Sequence, residues 1–152
     1  MKNYETIPLH WINRLGFVVR KELARRFQEC GYDVGPEEWA ILLILWNKGA
    51  QTPSVLADAT IRDRTTVTRL LDGMVAKGLV ERNVDAKDRR KTRVQVSELG
   101  LSLKDGLIAV AQGLIAQTLD GLSPEDIETT VQTLRRMSHN LTAETVKTGA
   151  GS

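Results

Sequence analysis

Thr52-Pro-Ser-Val-Leu-Ala-Asp-Ala-Thr-Ile-Arg-Asp-Arg-Thr-Thr-Val-Thr-Arg-Leu-Leu-Asp-Gly-Met-Val-Ala-Lys-Gly78 reads as two helices joined by a tight turn. Thr52 can cap the free N–H groups of a short helix that opens with Pro53 and runs to Ala59. After a turn at Thr60 to Arg62, Asp63 caps a second helix, Arg64 to Lys77, closed by Gly78. Val67, Leu70, Leu71, Met74 and Val75 recur at three- and four-residue steps and form its buried stripe. Thr65, Thr66, Thr68, Arg69, Asp72 and Ala76 occupy the rest, so nothing bulky and apolar faces outward. A short helix, a tight turn and a second amphipathic helix make a helix-turn-helix. An ordinary amphipathic helix with a solvated face would look the same in isolation, so the flanking sequence has to decide.

Downstream, Leu79–Val84 and Arg93–Val96 are two β-prone runs around the polar stretch Asp85 to Thr92, a hairpin with a long basic tip. Two strands alone are barely stable and must lean on the helices before them. Upstream, Ile7 to Gln28 is helical, with Ile12, Leu15, Val19, Leu23 and Phe27 as one buried stripe and Gly31 as a left-handed cap. Gly35-Pro36-Glu37-Glu38 starts another helix, whose Trp39, Leu42, Leu43 and Trp46 are apolar and which stops before Gly49. Beyond the hairpin one long helix is expected from Leu99 to Leu119, carrying Leu103, Leu107, Val110, Leu114 and Ile115. Ser123-Pro124-Glu125-Asp126 starts the last one. Its stripe is Ile127, Val131, Leu134, Ser138 and Leu141, and the tail from Lys147 to Ser152 should fray.

The fold class is therefore mainly α with a small β-hairpin wing, in a single domain of 152 residues without internal repeats. Residues 36–97 form the winged helix-turn-helix lobe, flanked by helical segments over 5–31 and 98–147. The longest apolar run, Ala40 to Trp46, is far short of the ~20 residues of a membrane span. No secretory signal precedes the first helix, and the lone Cys30 precludes an internal disulfide. A cytoplasmic location is the plain expectation. Two histidines, His10 and His139, with no Gly-rich phosphate loop or HExxH element, assemble neither a catalytic set nor a metal or cofactor site.

Charge separates the lobe from the rest. Residues 60–93 hold ten Lys/Arg and five Asp/Glu, a net +5, whereas the remainder carries −3. Such concentration is the electrostatic footprint of a nucleic-acid face. Thr65, Thr66, Thr68 and Arg69 permit close approach to a major groove and offer donors to base edges. Thr52, Ser54, Arg62 and Arg64 lie at helix starts or beside the turn, where phosphates are favoured. At the hairpin tip Lys87, Arg89, Arg90, Lys91 and Arg93 fall within seven residues. Arg89 is the candidate for a narrow minor groove. Arg90 is the candidate wing anchor, through Asp88 or through Asp72 on the helix.

Thr65 to Asp72, Lys77-Gly78-Leu79-Val80-Glu81-Arg82, Asp88-Arg89-Arg90 and Val96-Ser97-Glu98-Leu99-Gly100 together resemble the signature of the MarR family, the multiple-antibiotic-resistance-type regulators. The resemblance covers nearly the whole chain. It implies a homodimer with interleaved N- and C-terminal helices that binds palindromic double-stranded DNA, commonly as a repressor. Half-sites about 34–36 Å apart would be read by the two lobes. One departure stands out: the family's turn often contains Gly, whereas Ala59-Thr60-Ile61-Arg62-Asp63 has none. Ile61 could plug the turn into the core, although Ile is disfavoured at positive φ.

The resemblance also implies release by a small aromatic or lipophilic anion bound between the dimerisation helices and the winged helix. His10, Trp11, Arg14, Trp39 and Trp46 are the candidate effector residues, with core packing the competing reading for both tryptophans. Cys30 offers a redox alternative, but a helix C-terminus disfavours a thiolate unless Arg25 and Arg26 compensate. A winged helix used for protein–protein contact is the other alternative, and the aromatic-poor basic surface argues against it.

Overall fold

The local signals at Thr52, Asp63 and Ser123 become helix caps, and Ser97 caps a further helix. The computed structural model describes residues 3–149, with side chains through Thr142. Its helices are α1 (Pro8–Glu29), α2 (Pro36–Lys48), α3 (Pro53–Thr60) and α4 (Arg64–Ala76). Strands β1 (Val80–Val84) and β2 (Thr92–Val96) follow, then α5 (Glu98–Ser102), α6 (Lys104–Thr118) and α7 (Pro124–Gly149). The chain divides into two compact units, Met1–Leu114 and Ile115–Ser152. Among the described residues no helix is long and apolar enough to cross a membrane.

In the first unit the core joins Leu23 and Phe27 of α1, Ile41, Leu42 and Leu45 of α2, and Leu56 of α3. Val67, Leu71 and Met74 of α4 complete it, with Val80 and Val94 of the hairpin and Leu107 and Ala111 of α6. Phe27 meets Tyr32 and Trp39 at ring-centroid distances of 6.5 and 5.5 Å, and Trp39 meets Trp46 at 5.7 Å. Both tryptophans are half-buried and pack against the core.

β1 and β2 pair antiparallel, Val80 with Val96 and Val84 with Thr92. The hairpin leans on the helices through backbone as well as side chains. Gln51, just before α3, donates its N–H to Val94 O at 3.0 Å and accepts from Val94 N at 2.7 Å. At the other end Ser97 Oγ accepts from Gly100 N at 3.0 Å and donates to Gly78 O. A Cβ at Gly100 would lie 2.3 Å from Leu79 O, so only glycine allows α5 to close on the strand.

Four expectations are corrected. The long helix from Leu99 breaks at Leu103, where Leu103 N bonds Leu99 O and Ser102 Oγ bonds the same carbonyl. The α1 stripe is buried only in its second half. Val19 is half-buried, while Ile12 and Leu15 are 39% and 52% exposed. Val75 is likewise exposed, because α4 buries a narrower stripe on Val67, Leu71 and Met74. Finally, Ile61 does not plug the core. It closes α3 in the left-handed region, φ 54° and ψ 46°, with 88% of its surface exposed. A non-glycine residue there costs roughly 1–2 kcal/mol, with no core burial in this chain to offset it.

In the second unit Ser123 Oγ caps Asp126 N at 3.1 Å and α7 continues through Gly149. The fraying expected for the tail fails at residues 147–149, which are helical, and otherwise falls on residues 150–152, outside the described residues.

Candidate nucleic-acid interface

α4 is presented by its caps and its buried side. Asp63 accepts from Thr66 N and from Thr66 Oγ1, both at 2.8 Å. The Thr66 backbone N–H, then its hydroxyl, hold the Asp63 carboxyl below the usual carboxylate range. At the far end Lys77 Nζ reaches Glu38 Oε1 at 2.8 Å and Asp33 Oδ1 at 3.3 Å. Burial works against the ammonium, yet the bonds to Glu38 and Asp33 outweigh it and raise its pKa above the ordinary lysine value. Glu38 is buried and also accepts from Gly35 N at 2.9 Å, so one carboxylate ties the start of α2 to the end of α4.

With its stripe inward, α4 exposes Arg64, Thr65, Thr68, Arg69 and Asp72, which line a shallow depression. Beside it a cleft of about 550 Å³ runs between α3, α4 and the wing, lined by Thr52, Ser54, Arg64, Thr68, Arg82, Arg90 and Lys91 among others. Thr66, by contrast, is half-buried and occupied with Asp63. Arg62 turns back to Glu37 at 2.9 Å.

Of the two partners expected for Arg90, the structure shows Asp88 and gives Asp72 to another arginine. Asp72 pairs with Arg82 at 2.6 Å, not with Arg90. Arg90 instead reaches Asp88 at 3.3 Å, with 93% of its side chain exposed. The Arg82 link follows from strand alternation: Val80 is buried and Arg82, two residues on, shares its face. Alternation alone puts Arg82 on that face, but does not say which arginine Asp72 takes. Arg93 also acts as a tether, from Nε to Asp85 Oδ2 at 3.0 Å and from Nη1 to Ala50 O at 3.2 Å. Asp85 in turn accepts from Lys87 N at 2.9 Å, while Asp88 accepts from Arg90 N at 3.0 Å. The Lys87 N–H first, then Arg93, hold the Asp85 carboxyl below its ordinary pKa. Lys87, Arg89 and Lys91 form no ion pair among the described residues.

The five effector candidates are not brought together. His10 and Trp11 form an N-terminal aromatic group with Tyr4, and Trp11 Nε1 donates to Glu5 O at 2.7 Å. Arg14 is exposed, and Trp46 Nε1 is buried without a hydrogen-bond partner. Only Trp39 lines a cavity of about 500 Å³, shared with Val19, Arg20, Leu23, Leu43, Ile44, Thr60, Arg62 and Leu70 among others. Arg25 is engaged by Glu22 and Glu29.

A helix-turn-helix with a hairpin wing, its second helix bared on a basic side, is the architecture of a winged-helix DNA-binding protein. The MarR family model matches residues 35–92. The repressor IacR of Pseudomonas putida is 26% identical over 137 residues, covering 90% of this chain and 81% of the relative. The structure of BpsR from Bordetella bronchiseptica, whose DNA binding is regulated by 6-hydroxynicotinic acid, superimposes with a TM-score of 0.81 at 22% identity. That likeness covers 91% of this chain and 97% of BpsR. A MarR-family regulator from Silicibacter pomeroyi gives 0.75 at 25% identity, covering 91% and 92%. Over residues 35–92 the chain matches the MarR family model, and along nearly its whole length it is similar to winged helix-turn-helix regulators of transcription.

Proposed function

We propose that the chain represses transcription as a cytoplasmic homodimer on a palindromic operator, and that a small aromatic or lipophilic anion releases it. The observation that carries this reading is the bared side of α4, where Arg64 and Arg69 make no ion pair among the described residues and Thr65 and Thr68 lie exposed between them. Thr65, Thr68 and Arg69 read base edges. Thr52, Ser54 and Arg64 serve phosphates around the two helix starts. Lys87 and Lys91 follow the backbone from the wing and Arg89 enters the minor groove, while Arg82 on Asp72 and Arg93 on Asp85 brace it.

Dimerisation falls to residues 5–31 and 98–147, leaving 36–97 as the DNA lobe. Its support is exposed apolar surface: Leu9, Ile12, Leu15, Phe17 and Val18 on α1, and Val131 and Leu134 on α7. The cavity around Trp39 suits the effector, being largely apolar with Arg20 at hand for a carboxylate, while Arg62 is paired with Glu37 of the same lining. Of the other expected effector residues, Trp46 packs against Trp39, whereas His10, Trp11 and Arg14 lie further toward the start of α1.

Selection of bound duplexes from a random pool, followed by titration against salt, tests the proposal. A palindrome with half-sites one helical turn apart, and log K falling linearly with log salt at about −0.9 per phosphate contact, is expected. A salt-independent interaction, or a site without symmetry, overturns it.

A further inference from the structure

We propose that Ile61 is a DNA-contacting residue, its side chain seating against the apolar surface of the duplex beside the first turn of α4. The turn it occupies is one where glycine is free and a β-branched residue is strained, and Ile61 holds φ 54° there. The fold gains nothing from that side chain. Ile61 lies outside the core cluster, and of the turn residues Thr60 and Arg62 line the neighbouring cavity whereas Ile61 does not. At 88% it is more exposed than Trp11, Phe17 or Leu141. A side chain strained into the solvent finds its use in an external partner.

Its surroundings say which partner. Arg64 lies three residues on, Arg62 next to Ile61 is paired with Glu37, Thr65 begins the exposed groove side of α4, and the intervening Asp63 carboxylate is consumed in capping. An apolar group set among cations suits a polyanion that also offers apolar patches. Duplex DNA offers two, the thymine 5-methyl in the major groove and the deoxyribose edge. The inference rests on the DNA-binding reading and adds a specificity residue to it.

Ile61→Asn is the informative substitution, because Asn tolerates the left-handed region and keeps the turn. The operator selected with the parent protein is the probe. The variant is expected to melt at or above the parent's temperature while binding that operator about three- to tenfold more weakly, the worth of one or two buried methyl groups. Ile61→Val keeps an apolar branch and should retain most of the affinity. Replacing each thymine in turn by uracil locates the contact. A position where uracil weakens the parent but not the Asn variant identifies a thymine methyl, and silence at every position identifies deoxyribose. Equal operator affinity for parent and Asn variant overturns the proposal, as does a loss traced to weaker self-association. In either case salt-dependent binding by the parent shows that the DNA-binding reading stands.

Discussion

α4 and the wing tip carry the same charge and are held in place by different forces. α4 is fixed from beneath by Val67, Leu71 and Met74, each fully buried and each contributing about 1.5–3 kcal/mol. The tip, from Asp85 to Lys91, contributes little to the core and is shaped by polar bonds from two aspartates and by the Arg93 tether. Burial fixes the part that must read a base edge at hydrogen-bond tolerance. Polar tethers suffice for the part that follows a backbone whose position varies with DNA shape.

Breaking the buried side should cost most. Leu71→Ala should lower stability by ~2–5 kcal/mol in thermal or denaturant melts and take DNA binding with it. Arg69→Ala should leave the melt unchanged and cost ~1–3 kcal/mol of discrimination between the operator and its single-base variants. Lys91→Ala should weaken every duplex alike and reduce the salt slope by about 0.9, so an unchanged slope would remove Lys91 from the interface.

Asp85 sharpens the contrast through pH. Its folded pKa lies below the unfolded value of about 3.9, so its contribution is complete above that value. It is lost as pH falls through the depressed folded pKa. Asp85→Asn should abolish this acid dependence, followed by wing-specific resonances, and weaken operator binding at neutral pH while the α4 core melts as before. The smallest effect belongs to Arg82→Ala. Its pair with Asp72 is surface-exposed, and less than ~1 kcal/mol of stability should follow.

Much of α4 was legible because its determinants are local: Asp63 caps three residues ahead, and the apolar steps repeat within one helix. The tethers were not, since each joins distant segments. Asp72 had several arginines within plausible reach, and only the strand register selects Arg82. Arg93 resembled one more phosphate contact until Ala50 and Asp85 met on either side of it. Ile12 and Leu15 carry the same helical spacing as Leu23 and Phe27, and spacing cannot tell a face that packs within the chain from one that does not. The break at Leu103 arises where Gly100 must approach Leu79, a contact that no local pattern announces.

The backbone pair between Gln51 and Val94 governs how the chain can change over time. An inserted residue between α2 and α3 would slide Gln51 past Val94 and break the two backbone bonds that tie the hairpin to the helices. Related chains should therefore keep the length of that connection. The tip between Asp85 and Lys91 lies beyond the ladder, where residues can be gained or lost without disturbing it. Natural variation in wing length, and with it new operator preferences, should accumulate at the tip while the connection at Gln51 stays constant in length.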